Sequence, residues 1–237
     1  MRRTNKTIGV LGGMGPQASS MLYQKIITYT QNHHGAVQDT DYPPVFINSL
    51  PLYGFDETGI RDDEKVVKQL VEGVKKLELA GSDLVIIACN TVHYFYDEMQ
   101  NAIDIPIFNI IKETAQRVHH DGINKVGLLA SESTCKLGLY QDKMNPLGID
   151  VILPGQNQQD RLNNIIEQVM GGRQNDADHE TLKKIAGSYM NQGAEAVILG
   201  CTELPLVMNR SQTDIRLYNS VEIIVQSAVD YSLESTI

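Results

Sequence analysis

Two kinds of hydrophobic pattern alternate along the chain. One is a short unbroken apolar run: Ile8 to Leu11, Val45 to Ile47, Leu84 to Ile87, Val126 to Leu129, Val151 to Leu153 and Ala196 to Leu199. Leu84 to Ile87 and Ala196 to Leu199 are rich in β-branched residues and do not alternate with polar ones, which suits strands buried on both faces of a parallel sheet. The other is a helical spacing, clearest where Val66, Val67, Leu70, Val71, Val74, Leu77 and Leu79 recur among charged positions. Helices are expected over 17–29, 62–79, 92–103, 110–120, 134–145, 158–170, 179–191 and 221–233, with polar loops over 32–44, 51–61 and 171–178.

The second part of this pattern restates the first. Residues 80–91, ending in Ala88-Cys89-Asn90-Thr91, are echoed by residues 192–202, ending in Gly200-Cys201-Thr202. Residues 124–131 mirror 6–13, and Ile215 to Asn219 mirror Ile105 to Asn109. The expected fold is therefore α/β, with two pseudo-symmetric, doubly wound parallel-sheet halves produced by an internal duplication. The first half spans 1–110 and the second 111–218, without a low-complexity linker between them. Open α/β sheets bind ligands at the carboxyl ends of their strands, which places the active site between the two halves.

Each repeated strand ends in a cysteine, and Cys89 and Cys201 lie 112 residues apart in matched positions. A lone cysteine after a strand is usually a small buried hydrophobe. Two in register, each at the start of an expected helix, meet backbone N–H groups and a helix dipole that stabilise a thiolate and bind carboxylates. Opposed thiols suit one task, taking a proton from one face of a carbon and returning one to the other. A free thiol, with a pKa of about 8.5, serves as either acid or base. Asn90, Thr91, Thr134 and Thr202 are neutral donors suited to a carboxylate that gains negative charge. Cys135 has no matched partner and reads as a packing residue.

Composition narrows the class. Hydrophobic residues make up 42% and charged residues 21% of the 237, ordinary for a soluble globular protein. A net charge of −9 argues against nucleic-acid or anionic-membrane partners. No apolar run approaches the ~20 residues needed to span a bilayer. Three cysteines without framework spacing fit reduced thiols in a cytoplasm. The pairs His33-His34 and His119-His120 lack ligand spacing, and no zinc motif occurs, so no metal is expected.

At the residue level the chain resembles the aspartate/glutamate racemase family. The resemblance rests on Leu11-Gly12-Gly13-Met14-Gly15-Pro16, Cys89-Asn90-Thr91-Val92-His93 and Gly200-Cys201-Thr202-Glu203, in order over essentially the whole length. It implies a cofactor-independent racemase in which Cys89 and Cys201 are opposed acid and base. It also implies an amino acid substrate, a homodimer, and a C-terminal helix within 219–237 that returns to the first half. Met14, Gly15, Asn48, Glu57, Thr58, Asn90, Thr91, Thr134, Thr202 and Glu203 are the substrate-binding positions it suggests. Gly12-Gly13 and Cys201-Thr202-Glu203 are similar to the aspartate racemase branch rather than to glutamate racemases. That branch often carries an Arg where this chain has Glu57 and a Lys where it has Met170. With one cation lost and one reversed in sign, an acidic side chain would be repelled. A neutral or basic amino acid is the expected substrate, although Arg61 lies four residues beyond Glu57.

Glu203 either orients its turn or meets the substrate ammonium. His93 reads as support for the first cysteine turn rather than as the partner of a Cys-His pair. Three other readings stand beside the racemase. Gly13-Met14-Gly15-Pro16-Gln17-Ala18 fits a dinucleotide-binding turn, but leaves both cysteines unexplained. A cysteine isomerase of the maleate isomerase or hydantoin racemase type would use a single nucleophilic thiol. An inactive amino-acid-binding relative would have no need of either.

Overall fold

The computed structural model describes residues 5–56 and 59–234, the side chain of Arg210 excepted. Its first half runs β1 (Ile8–Gly12), α1 (Pro16–His34), β2 (Val45–Ser49), a small antiparallel ribbon of β3 (Phe55–Asp56) and β4 (Gly59–Ile60), α2 (Asp63–Leu79), β5 (Leu84–Ile87), α3 (Tyr96–Gln100), β6 (Ile107–Phe108) and α4 (Ile110–His120). The second runs β7 (Lys125–Leu129), α5 (Glu132–Lys136), α6 (Leu139–Met144), β8 (Asp150–Ile152), α7 (Gln156–Met170), α8 (Asp176–Asn191), β9 (Ala196–Leu199), β10 (Leu217–Asn219) and α9 (Ser220–Leu233).

Two four-stranded parallel sheets result, ordered β2-β1-β5-β6 and β10-β9-β7-β8. The second order is the first read backwards, with β7, β8, β9 and β10 in the places of β1, β2, β5 and β6. The central strands β5 and β9 are buried along their whole length, as unbroken β-branched runs demand. Small details repeat as well. Ala88 N–H donates to Leu11 O at 2.9 Å, and Gly200 N–H to Leu129 O at 2.7 Å. Asn109 caps α4 by accepting from Ile111 and Lys112 N–H, and Asn219 caps α9 by accepting from Val221 and Glu222 N–H.

One apolar cluster joins the halves. It contains Val10 and Ile86 of the first sheet, Leu128 and Ile198 of the second, and Leu22, Ile111, Val118, Ile224 and Ala228 of α1, α4 and α9. α9 follows the second half in the chain but packs on α1 and α4. Its polar ties reach back to the first half: Lys25 Nζ to Glu222 at 2.7 Å, Tyr29 Oη to Asp230 at 3.1 Å, and Lys6 N–H to Ser232 O at 3.1 Å.

Several expected boundaries shift for local reasons. α1 continues to His34, where Gly35 takes a left-handed conformation at φ 66° and ends it. The helix expected over 134–145 breaks into α5 and α6 at Gly138, which is left-handed at φ 67°. The helix expected over 92–103 is a 3₁₀ turn over Thr91–Phe95 followed by the short α3. The helix expected over 179–191 begins earlier, at Asp176, because Asn175 caps it and accepts from Ala177 N–H at 2.9 Å.

Candidate active site

Both repeated strands deliver their cysteine to one cavity of about 180 Å³ between the sheets. Gly13 and Met14 after β1, Leu52, Phe55 and Asp56 from the ribbon, and Cys89 and Thr91 after β5 line one side. Ser131 after β7, Ile166 and Met170 of α7, and Cys201 and Glu203 after β9 line the other. The cavity sits at the carboxyl ends of the strands, where this architecture puts ligands. All three cysteines are free thiols.

The surroundings of the two thiols differ. Cys89 is buried, and the N–H groups of Thr91 and Val92 and the Thr91 hydroxyl lie against its sulfur. Burial pushes its pKa up to about 12 against the pull of those donors, with the Glu203 charge adding to the rise. Thr91 Oγ1 also lies 3.2 Å from Ser131 Oγ and 2.9 Å from Thr134 Oγ1, and those two are 3.0 Å apart, a closed triangle of hydroxyls. Cys201 is half-buried, and its Sγ donates to Glu203 Oε2 at 3.1 Å. Desolvation and this carboxylate hold its pKa well above the ordinary thiol range, opposed by the Glu203 N–H. Glu203, 4% exposed, also accepts from Thr202 Oγ1 at 2.9 Å and from Gly15 N–H at 3.3 Å across the half boundary.

His93 does not face the Cys89 sulfur. Its Nδ1–H donates to the Cys89 carbonyl at 2.9 Å, and its Nε2 accepts from Ile110 N–H at 3.3 Å. Desolvation lowers its pKa to about 4, so the ring is neutral and fixed in one tautomer. It therefore ties the first cysteine turn to the start of α4. Asn90 is 2% exposed; its Oδ1 accepts from Tyr140 Oη at 2.9 Å, while its Nδ2 is buried without a partner.

Of the positions marked in the sequence, Met14, Cys89, Thr91, Cys201 and Glu203 line the cavity, and Gly15 bonds Glu203 at its edge. Thr134 and Thr202 lie one step behind, bonded to Thr91 and Glu203. Asn48 is not among the cavity's lining residues, and its Nδ2 donates to Gly73 O at 3.2 Å, fastening β2 to α2. Glu57 and Thr58 lie outside the described residues. Arg61 is ion-paired to the cavity residue Asp56 at 2.6 Å. Sequence reasoning missed Ser131, although the repeat pairs it with Gly13, and missed the apolar walls Leu52, Phe55 and Ile166, which carry no motif.

The glycine turn after β1 offers no phosphate cradle. Gly13 N–H is taken by Ser19 Oγ at 2.8 Å, and a Cβ on Gly13 would lie 2.4 Å from the Leu50 carbonyl oxygen. Among the described residues, no group of three or more His, Cys, Asp or Glu is placed to hold a metal, and no helix is long and apolar enough to cross a membrane.

The chain is similar in sequence and fold to known proteins. The broad specificity amino-acid racemase RacX of Bacillus subtilis is 32% identical over 223 residues, covering 94% of this chain and 96% of RacX. The crystal structure of an aspartate racemase homologue from Pyrococcus horikoshii OT3 superposes with a TM-score of 0.81 at 29% identity, covering 97% of this chain and all of that one. The Picrophilus torridus aspartate racemase gives 0.81 at 25% identity over 96% of this chain and 94% of its own. The profile of the Asp/Glu/Hydantoin racemase family matches residues 11–228, and the chain belongs to that family as an amino-acid racemase.

Proposed function

We propose that this enzyme racemises neutral or basic amino acids without a cofactor, passing the α-proton between Cys89 and Cys201. The observation that carries the reading is one cavity holding a thiol from each half, with no Lys, Arg or His among its described lining residues. An α-carbon seated between the sulfurs gives its proton to one thiolate. The carbanion then takes a proton from the opposite thiol, which becomes the thiolate, and the configuration is inverted. The substrate carboxylate absorbs the developing charge, stabilised by the donors around Thr91 and by the unpaired amide of Asn90.

Side-chain preference follows from the walls. Leu52, Phe55, Ile166, Met170 and Met14 offer apolar surface, and the charged lining residues are Glu203 and Asp56, the latter paired to Arg61. An anionic side chain in this desolvated space meets like charge, which is costly. An uncharged side chain, or the aliphatic stem of a basic one, meets compatible surface. Glu57 follows Asp56 in the chain and adds acid to the same loop where an Arg would favour aspartate. The printed description of RacX as a broad specificity racemase supports the same reading. A homodimer in the cytoplasm completes the proposal, and light scattering tests the assembly.

Loss of the α-proton signal by NMR in D₂O tests the reaction, without added pyridoxal phosphate. The panel is aspartate, glutamate, lysine, arginine, ornithine, alanine, serine and methionine. Exchange of basic or neutral members with aspartate silent is the expected result. Exchange confined to aspartate or glutamate would overturn the selectivity. Full racemisation by either single Cys→Ala variant would overturn the two-thiol mechanism in favour of a one-cysteine isomerase.

A further inference from the structure

Tyr140 is a buried aromatic residue of α6 that touches both cysteine turns. Its side chain is fully buried in the second half, yet its hydroxyl donates to Asn90 Oδ1 at 2.9 Å in the first. Its ring lies beneath the other turn: a Cβ built on Gly200, the residue before Cys201, would stand 3.0 Å from Tyr140 Cε2. The neighbouring hydroxyls of Thr114 and Ser220 are committed elsewhere, donating to Ile110 O at 2.7 Å and Leu199 O at 2.8 Å. Tyr140 therefore holds one face of the Asn90 amide. With Oδ1 fixed, the –NH₂ group faces the other way, buried and without an acceptor in the protein. Buried donors are nearly always paired, so this one points to an acceptor that arrives with a ligand. Its chain neighbours Cys89 and Thr91 both line the cavity.

We propose that Tyr140 is a positioning residue: its hydroxyl pins Asn90 so that the amide –NH₂ is held for the carboxylate of the bound amino acid, while its ring sets the backbone before Cys201. The inference rests on the racemase reading and adds the group that aims the donor. One residue thus keeps the two turns in register, although neither contains it.

The test pairs Tyr140→Phe with Tyr189→Phe in the full chain. Tyr189 is also fully buried in the second half, and its hydroxyl donates to a backbone carbonyl, Leu128 O, at 3.2 Å. Both variants lose one buried hydroxyl and should melt about 2–4 °C lower. Tyr140→Phe should also lose about ten- to a hundredfold in kcat, the range for groups that orient a contacting side chain, with KM changing less. Tyr189→Phe should keep wild-type turnover. Asn90→Ala should lose at least as much as Tyr140→Phe, and the double variant no more than Asn90→Ala, because the hydroxyl acts through Asn90. Wild-type kcat in Tyr140→Phe, or losses that multiply in the double variant, would overturn the proposal. A second reading needs no change at Tyr140. With asparagine labelled by nitrogen-15, the Asn90 amide signal should shift when a substrate amino acid is added, and an unmoved signal counts against it. A wild-type protein that exchanges no amino acid would sink the racemase reading and this inference together. Exchange by wild type and Tyr140→Phe at equal rates would sink this inference alone.

Discussion

The two cysteine turns descend from one repeated segment, yet they surround their sulfurs differently. Cys89 is met by hydrogen-bond donors, two N–H groups and the Thr91 hydroxyl. Cys201 is met by one N–H donor, that of Glu203, and by an acceptor, the Glu203 carboxylate at 3.1 Å. Donors favour a thiolate and a carboxylate favours a thiol. The first turn is also clamped by His93. The matched position in the second turn is Pro205, which opens a 3₁₀ helix over Leu204–Leu206 instead. Duplication brought both thiols to one cavity, and divergence of their neighbours gave them different surroundings.

The largest test removes either sulfur. Cys89→Ala and Cys201→Ala should each lower complete racemisation by about a hundred- to ten-thousandfold, as loss of an acid or base does. Cys135→Ala should leave it unchanged, and NMR exchange in D₂O reads all three. Next is the clamp found on one turn alone. As pH falls below about 6.5, an unfolded chain protonates His93, while the folded protein resists until about pH 4. Stability should therefore fall through that window by roughly 3 kcal/mol at most. His93→Gln should flatten the acid limb of denaturant melts, and an unchanged limb would remove His93 as its cause.

Glu203→Gln breaks the comparison itself, replacing an acceptor-only group with one that also donates. Iodoacetamide labelling against pH, followed by peptide mass mapping, should show the Cys201 midpoint moving down while that of Cys89 moves less. Turnover should drop about tenfold or more. Equal movement at both sulfurs would mean that Glu203 does not distinguish them. The smallest effect is expected from Met170→Lys. Met170 lies near Gly15, which bonds Glu203, so an added cation there should raise aspartate exchange severalfold relative to alanine.

Much of the fold was legible because burial on both faces of a parallel sheet leaves an unmistakable apolar run. Leu84 to Ile87 and Ala196 to Leu199 announced the central strands, and their repetition announced two sheets of matched order. The cysteines were legible for the same reason, since strand ends are where the run stops. Helix breaks were harder, because Gly138 reads equally as an interior glycine or as a left-handed stop, and only its φ decides. Asn48 is ambiguous in sequence because a polar residue at a strand end serves a ligand or a neighbouring helix with the same amide. Tyr140 carried no signal at all. Its partner Asn90 is fifty residues away in sequence, and only the packing of one half on the other brings them together.

The path of α9 has a consequence for how the enzyme comes into being. During synthesis, at about 5–20 residues per second, the first half leaves the ribosome long before the helix that covers α1 and α4. Until α9 emerges, the apolar faces around Leu22, Ile26, Ile111 and Val118 have no lid, and a nascent chain exposes them to the cell. The cavity draws its lining from both halves, so it takes shape only once the second has been made.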